Sequence, residues 1–411
     1  MKTLESRLSL DNEWLCGGAI VSPEYIISSA ACMKDVGRTY AVPGYKTYVK
    51  LEGLYTDECT KISKRRLVSF SFPKQYKLDF DDVTKWSYVD IALAKVKTPF
   101  DLDKVEAQCS YKASVIPVNY VARFQKPGSD VIAYGWGHEY AWRMEGDYDT
   151  LYNSKTLKYT STRILDKSTC KRSYETYPKL AKTIDEYMIC TADEGFLDDQ
   201  GNVKVKESPF LTGCSKEKGG PTFLDYEESY QEVVIDSTRK KLSEDSFNGT
   251  VRNKTVTKLR RRRIPRRRNR RQYGICQNDH GGPLTTWVGN REILVGIATM
   301  FRVNRSSWNA CIGPHLFTST LCNGEFIDCI LSNKTTRRPV CDAPAIMRGY
   351  HVIENYVYWK TDRESDDEND TDTVIEQFVD GVKTPYKPQE PTLLPILELY
   401  DENRSDTLPA I

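Results

Sequence analysis

Cys276-Gln277-Asn278-Asp279-His280-Gly281-Gly282-Pro283-Leu284 is the stretch that decides how this chain is read. It brings together a cysteine, a carboxylate, an imidazole and a Gly-Gly-Pro turn. The 411 residues hold only four histidines, at 138, 280, 315 and 351, so an imidazole here is not a product of abundance. A degraded copy precedes it, Cys214-Ser215-Lys216-Glu217-Lys218-Gly219-Gly220-Pro221. The cysteine, acid and Gly-Gly-Pro keep their offsets there, and Lys218 stands where the later copy has His280. An internal duplication and a retained exon both account for the pair.

Four further landmarks lie in order around it. Cys16-Gly17-Gly18-Ala19-Ile20-Val21-Ser22-Pro23 runs on to Ser28-Ser29-Ala30-Ala31-Cys32. Tyr134-Gly135-Trp136-Gly137, Leu294-Val295-Gly296-Ile297 and the segment from Cys311 to Thr318 follow. Short or alternating apolar runs at Tyr25–Ser29, Asp90–Val96, Val131–Trp136 and Glu292–Met300, with Gly and Pro between them, point to an all-β protein. Helices are expected at Asp166–Tyr177 and Thr320–Ser332, the second with Leu321, Phe326, Ile327 and Ile330 on one side and Cys322 and Cys329 on a shared face.

Together these motifs resemble the trypsin/chymotrypsin family of serine proteases over residues 16 to 332, apart from one large insert. The resemblance implies a trypsin-like double six-stranded β-barrel with a C-terminal helix. The first barrel would span about 16–112 and the second about 121–333, within a protease-like domain over 1–333. Cys276–Leu284 is taken as the working loop because the family's remaining strands follow it.

The same resemblance places the catalytic positions and finds two of them changed. The nucleophilic serine falls on His280 and the general-base histidine on Ala31, while Asp90, in Tyr88-Val89-Asp90-Ile91-Ala92-Leu93, matches the third member of the triad. A triad needs an imidazole to take and return the hydroxyl proton. No histidine precedes Gly137, so Asp90 is expected to orient nothing. Asp279 matches the aspartate that pairs with the family's freed N-terminus. The Arg-Ile-Val-Gly-Gly junction is not found, so Asp279 is expected to lie buried and unpaired unless His280 or another cation answers it.

The family's specificity pocket maps to Gly274 at its base and to Thr299, Met300, Phe301 and His315 on its walls, with Phe301 and His315 in place of glycines. Asn278 replaces the oxyanion-hole glycine. The pattern resembles the inactive serine protease homologs common among secreted arthropod proteins, which implies a binding or regulatory role beside a protease or its substrate, as in a protease cascade. Two alternatives stay open: a serine-type endopeptidase by family membership, and an unconventional hydrolase using His280 with Asp90.

Twelve cysteines favour an oxidising compartment, hence secretion. Without a CxxC pair or Cys/His cluster, no metal site is expected, nor any cofactor. The family pattern implies Cys16–Cys32, Cys170–Cys190 and Cys276–Cys311. A fourth family bridge is lost at both ends, at Val131 and Thr286. Of Cys59, Cys109, Cys214, Cys322, Cys329 and Cys341, the pair Cys59–Cys109 is the one guess. Residues 1–15 carry no apolar signal core, and no run reaches the ~18 residues of a membrane span.

The formal charge of +2 conceals two opposed segments. Residues 191–275 form the insert, ending in a run with Arg260, Arg261, Arg262, Arg263, Arg266, Arg267, Arg268, Arg270 and Arg271. Binding of a heparin-like polyanion, dibasic processing and a merely solvated linker all fit such a run. Nucleic acid is not the expected partner, because no interleaved aromatics accompany it. Sequons at Asn248, Asn253, Asn304, Asn333, Asn369 and Asn403 agree with secretion. Residues 334–411 read as a disordered, Pro-containing acidic tail. From 361 onward it has fourteen acidic against four basic side chains, a net of −10, with Leu393–Tyr400 as a docking segment.

Overall fold

The computed structural model describes residues 2–3, 16–34, 39–43, 53–79, 82–103, 109, 112–139, 153–204, 274–304, 310–332, 352–359, 374–386 and 407–410. The Arg-rich run, Cys214, Cys341, Leu393–Tyr400 and all the sequons except Asn304 lie outside them. Among the described residues no helix is long and apolar enough to cross a membrane.

Two antiparallel sheets carry the fold. The first contains β1 (Lys2–Thr3), β2 (Ala19–Ser22), β3 (Tyr25–Ser28), β4 (Thr39–Ala41), β5 (Arg65–Pro73) and β6 (Ala92–Val96). In it β2, β3, β6 and β5 are successive neighbours, and β4 joins β5 to β1. The second contains β7 (Asp130–Gly135), β8 (Lys158–Ile164), β9 (Met188–Glu194), β10 (Pro283–Val288), β11 (Arg291–Asn304) and β12 (Ala310–Ser319). Its order is β10-β7-β8-β9-β12-β11, and β11 pairs back onto β10, from Val288↔Arg291 to Pro283↔Ile297. That last pairing closes a six-stranded barrel, leaving these strands without a free side along the closure.

The expected mostly-β, two-sheet architecture is present, with several boundaries moved. Because β1 pairs with β4, the first sheet draws on residues before Cys16. The insert does not begin at residue 191: β9 continues to Glu194, and Phe196 N–H donates to Asp130 Oδ1 at 2.8 Å, so residues 191–204 belong to the second barrel's surface. Nor is the segment after 333 wholly tail. Strands β13 (Val352–Tyr358), β14 (Val374–Val379) and β15 (Val382–Thr384) add to the free side of β5, from Val352↔Pro73 to Tyr356↔Ser69. Both faces of β5 are dry: Phe70 and Phe72 are fully buried, and Ser69 and Ser71 are only 7% and 3% exposed. A last strand, β16 (Thr407–Ala410), pairs with β11.

The helices are short. They are α1 (Gly53–Thr56), α2 (Glu58–Ser63), α3 (Val83–Trp86), α4 (Lys167–Ser173), α5 (Pro178–Tyr187) and α6 (Gly324–Ser332). The single helix expected over Asp166–Tyr177 is instead two. Asp166 caps α4, its carboxylate accepting from Thr169 N–H at 2.8 Å, but Pro178 bars the preceding residue from helical geometry and restarts the chain as α5. Leu180, Thr183, Ile184 and Tyr187 then form the buried face of α5. The closing helix begins at Gly324, later than expected, since residues 320–323 make turns. Cys322 therefore precedes α6 and is disulfide-bonded, while Cys329 on α6 is a free thiol, and the two share no helix face.

Candidate functional site

The site is built where three turns of the chain meet. Cys16–Cys32, Cys170–Cys190 and Cys276–Cys311 are disulfides, as is Cys59–Cys109. Cys16–Cys32 and Cys276–Cys311 fix the chain on either side of His280. At the lost fourth bridge Val131 is core, and Thr286 Oγ1 donates to Asp130 O at 2.8 Å.

The loop preceding β10 is held by main-chain bonds to both sheets. Gly17 N–H donates to His280 O at 2.8 Å, and Gly281 N–H to Ala298 O at 2.8 Å. Gly281 has φ +76°, and a Cβ there would lie 2.2 Å from Ser28 Oγ, so only glycine passes at that point. Asn278 adopts φ +68°, a left-handed geometry that asparagine tolerates better than most side chains. Its amide donates to Asn153 Oδ1 at 2.9 Å.

Asp279 is buried and its carboxylate is answered by the main chain. Gly137 N–H donates to Oδ1 at 2.8 Å and Cys276 N–H to Oδ2 at 2.9 Å. A Cβ on Gly135 would fall 1.8 Å from Oδ1, which is why the Tyr-Gly-Trp-Gly segment can approach so closely. Asp279 was expected to lie buried and unpaired unless His280 or another cation answered it; it is buried, main-chain donors meet it, and His280 does not. Its ring goes elsewhere.

His280 Nε2 lies 2.7 Å from Asp90 Oδ2 and 2.8 Å from Ser29 Oγ. Asp90 is fully buried, and its Oδ1 also accepts from Ser29 Oγ at 2.6 Å and from Ala31 N–H at 2.8 Å. So Asp90 does orient something, contrary to the sequence reading: an imidazole supplied from the nucleophile position rather than from position 31. Ala31 offers only a methyl group, and the imidazole that meets Asp90 comes from His280. Ser29 is the member of this cluster that sequence reasoning missed; nothing in its local context marks it, and only the reach of His280 brings it into play.

The proton positions follow from the donor inventory. A carboxylate has no hydrogen to offer, so Nε2 carries the one it shares with Asp90. Ser29 directs its own hydrogen to Asp90 Oδ1, and Ala31 N–H donates to Ser29 Oγ at 3.1 Å. Serine and aspartate thus meet the same ring nitrogen, whereas a working Ser-His-Asp relay needs them on opposite nitrogens. With Ser29 fully buried and His280 only 7% exposed, this is a closed knot of hydrogen bonds.

The pocket positions are also filled. The His315 ring lies directly on Gly274: a Cβ there would sit 2.1 Å from Cε1, and the ring is 1% exposed. Met300 packs in the core that includes Tyr187 and Leu316, and Phe301 in the core that includes Ile275 and Cys311. Thr299 Oγ1 is 2.8 Å from Thr318 Oγ1. A cleft of about 430 Å³ opens beside Asn278, between Ile20 and Phe100 on one side and Trp136 and Leu157 on the other; His280 does not line it.

Comparison with known proteins shows what the chain is similar to. The Trypsin family model matches residues 4–202, ending just before the undescribed part of the insert. A venom serine protease of Polistes dominula is 25% identical over 208 residues, covering 50% of this chain and 59% of its own. Tonin of Rattus norvegicus is 23% identical over 226 residues, covering 53% and 70%. Coagulation factor IX of Cavia porcellus is 27% identical over 216 residues, covering 50% and 65%. A solved structure titled human heparin binding protein aligns with a TM-score of 0.41 at 14% identity, over 78% of this chain and 87% of that one. The described fold is a two-sheet, disulfide-linked β protein with its site at the loop before β10. Over about its first half the chain is similar to trypsin-like serine proteases.

Proposed function

We propose that this chain is a secreted, non-catalytic member of the trypsin-like family that works by binding another protein, a protease or a protease's substrate. The observation that carries the reading is the engagement of His280 Nε2 with both Asp90 and Ser29, at 2.7 and 2.8 Å, beside an alanine at the base position. With Nε2 donating to Asp90, that nitrogen offers no lone pair to Ser29, whose hydroxyl is itself buried. Loss of a principal triad member alone costs about 10⁶ in kcat in a well-studied serine protease, so two losses leave no working relay. The filled space at Gly274 removes the side-chain pocket as well. The bridges Cys16–Cys32, Cys59–Cys109, Cys170–Cys190 and Cys276–Cys311, together with the bonded Cys322, support an oxidising, extracellular setting.

A second reading has one observation in its favour. The His280–Asp90 contact is a base–orienter pair, as an unconventional hydrolase would require. It is disfavoured because the nitrogen facing Asp90 is the one that also faces Ser29. Incubation with a mixed peptide library tests both readings, with no turnover expected. Turnover that disappears in His280→Ala would establish the dyad, and turnover that survives it would overturn the non-catalytic reading by another route. The binding role is tested by adding the chain to a trypsin-like protease and its protein substrate, where a changed cleavage rate is expected and an unchanged rate counts against it.

The Arg-rich run extends the proposal to polyanions. Ten basic residues between Lys258 and Arg271 can displace condensed counterions, so retention should fall steeply with salt, by analogy with nucleic acids. The intact chain should elute from a heparin column at higher salt than one with Arg260–Arg263 and Arg266–Arg268 changed to Ser. Equal elution would sink the polyanion role.

A further inference from the structure

We infer that the cleft beside Asn278 is a binding site for a small organic amine, its ammonium held by Glu292 and Asp199 and its apolar body by Phe100 and Trp136. The assignment is independent of the non-catalytic reading, since neither His280 nor Asp90 lines the cleft. The space is about 430 Å³, with Ile20 and Phe100 on one side and Trp136 and Leu157 on the other. That is the scale of a small-molecule pocket, not of a flat docking face.

The anchor is a carboxylate with one oxygen in use. Glu292 is half-buried near the start of β11 and lines the cleft. Tyr134 OH donates to its Oε1 at 2.9 Å, and Thr285 Oγ1 donates to the same oxygen at 2.7 Å. Among the described residues no donor meets Oε2 and no cation pairs with the group. Tyr134 supplies no compensating charge. Burial, and then the neighbouring charge of Glu292, push its hydroxyl up, so it stays a neutral donor. A carboxylate partly withdrawn from water gains most from a charge-assisted bond, which an ammonium provides. The aromatic walls suit a cation carried on an apolar body.

Asp199 reaches the same cleft from the ordered start of the insert. The chain folds back there, with Leu197 bridged to Val203 and Lys204 N–H donating to Phe196 O at 2.6 Å. Asp198 Oδ1 closes the turn, accepting from Gln200 N–H at 2.9 Å and Asn202 N–H at 2.8 Å. Gly201, at φ +81°, lies against Trp287, where a Cβ would come within 2.5 Å of the ring. Leu197 N–H donates to Ser161 Oγ at 3.1 Å and ties the turn to β8. Asp199 is exposed at the tip, without an ion pair among the described residues, and its charge adds to that of Glu292 at Tyr134. Lys112 also lines the cleft but pairs with neither acid, so the lining is net negative.

The test titrates the full chain by calorimetry with 2-phenylethylamine, uncharged 2-phenylethanol and anionic 3-phenylpropionate at low ionic strength. The amine should bind most tightly and 3-phenylpropionate most weakly. Glu292→Gln should weaken the amine about tenfold, the factor a hydrogen bond to a charged group contributes, and leave 2-phenylethanol unchanged. Asp199→Asn alters an exposed tip and keeps the fold; it should weaken the amine about twofold, an effect that fades at high salt. Should Glu292→Gln fail to fold, the ranking of the three ligands and the Asp199→Asn titration decide alone. An amine that does not bind, 3-phenylpropionate binding as tightly as the amine, or an amine affinity unchanged by the folded variants would overturn the assignment.

Discussion

His280 and Asp90 are coupled across the two sheets, because one rides on the loop before β10 and the other enters β6. Removing the imidazole leaves the buried Asp90 carboxylate with Ser29 and Ala31 N–H but without its third donor. Breaking a buried pair from one side costs about 3–5 kcal/mol, so His280→Ala should lower the urea midpoint markedly while changing no peptidase activity. Asp90→Asn should also destabilise, and the double variant should cost less than the sum, with a coupling of about 0.5–3 kcal/mol. Strict additivity in urea titrations would show that the two side chains do not act as a unit. The identity of His280 was plain in the sequence, and so was the absence of an imidazole at Ala31. What the sequence left hidden was the consequence of the change, since the imidazole that meets Asp90 comes from a position 249 residues beyond Ala31. Motif matching assigns each residue a slot and carries no information on where a substituted ring will turn.

At the scale of elements, local chemistry explains both what was read and what was missed. The N-cap of α4 follows from Asp166, whose carboxyl is held down at about 2 by the Ser168 hydroxyl and the Thr169 main-chain N–H. Because this folded value lies below the ordinary aspartate value, the cap stabilises above pH about 4 and its contribution is lost as pH falls toward about 2. Asp166→Ala should therefore be less stable than the parent at neutral pH, with the gap closing below about pH 2; a pH-independent gap in thermal melts would contradict this. Helix α5 could have been found from Pro178 followed by Leu180, Ile184 and Tyr187 at helical spacing. The β14–β15 hairpin carried a stronger sign, since Asp380-Gly381 joins two runs of alternating residues and both adopt positive φ, +52° and +78°. The acidity of the surrounding tail outweighed that turn. Gly381→Val should cost about 1–2 kcal/mol in the hairpin, because a side chain is forced into left-handed geometry. Faster amide exchange in β14 and β15, with the second barrel unchanged, is the outcome expected.

For the whole molecule, the first sheet is completed from the far end of the chain. Strand β13 pairs with β5, and beyond it the Trp359 indole N–H donates to Leu67 O at 3.0 Å. The same ring lies 5.2 Å from Tyr40 and 4.7 Å from the Arg66 guanidinium, so it closes over a fully buried cation at the sheet's side. Asn355, also buried, donates to Lys34 O at 3.1 Å and ties β13 to the turn after Cys32. Composition pointed the other way because the fourteen acidic residues after 361 were averaged over segments with different fates. Val352–Tyr358 precedes that window, and Val374–Thr384 carries the alternation needed to pair. The double-barrel fold was thus legible from its cysteine and glycine landmarks, while the strands that lengthen its first sheet have no counterpart among them. A chain ending at Asn333 would leave β5 with an open edge and uncover Phe70 and Phe72, which makes it prone to pair with other copies. It should melt lower and scatter light on warming, whereas a chain ending at Tyr386 should melt close to the full-length protein. Trp359→Ala should fall between, losing about 1–2 kcal/mol, since a fully buried large apolar side chain contributes about 1.5–3 and this one is half-buried. If the Asn333-terminated chain melts as the full chain does and stays monomeric, the C-terminal strands are an appendage and not part of the first sheet's core.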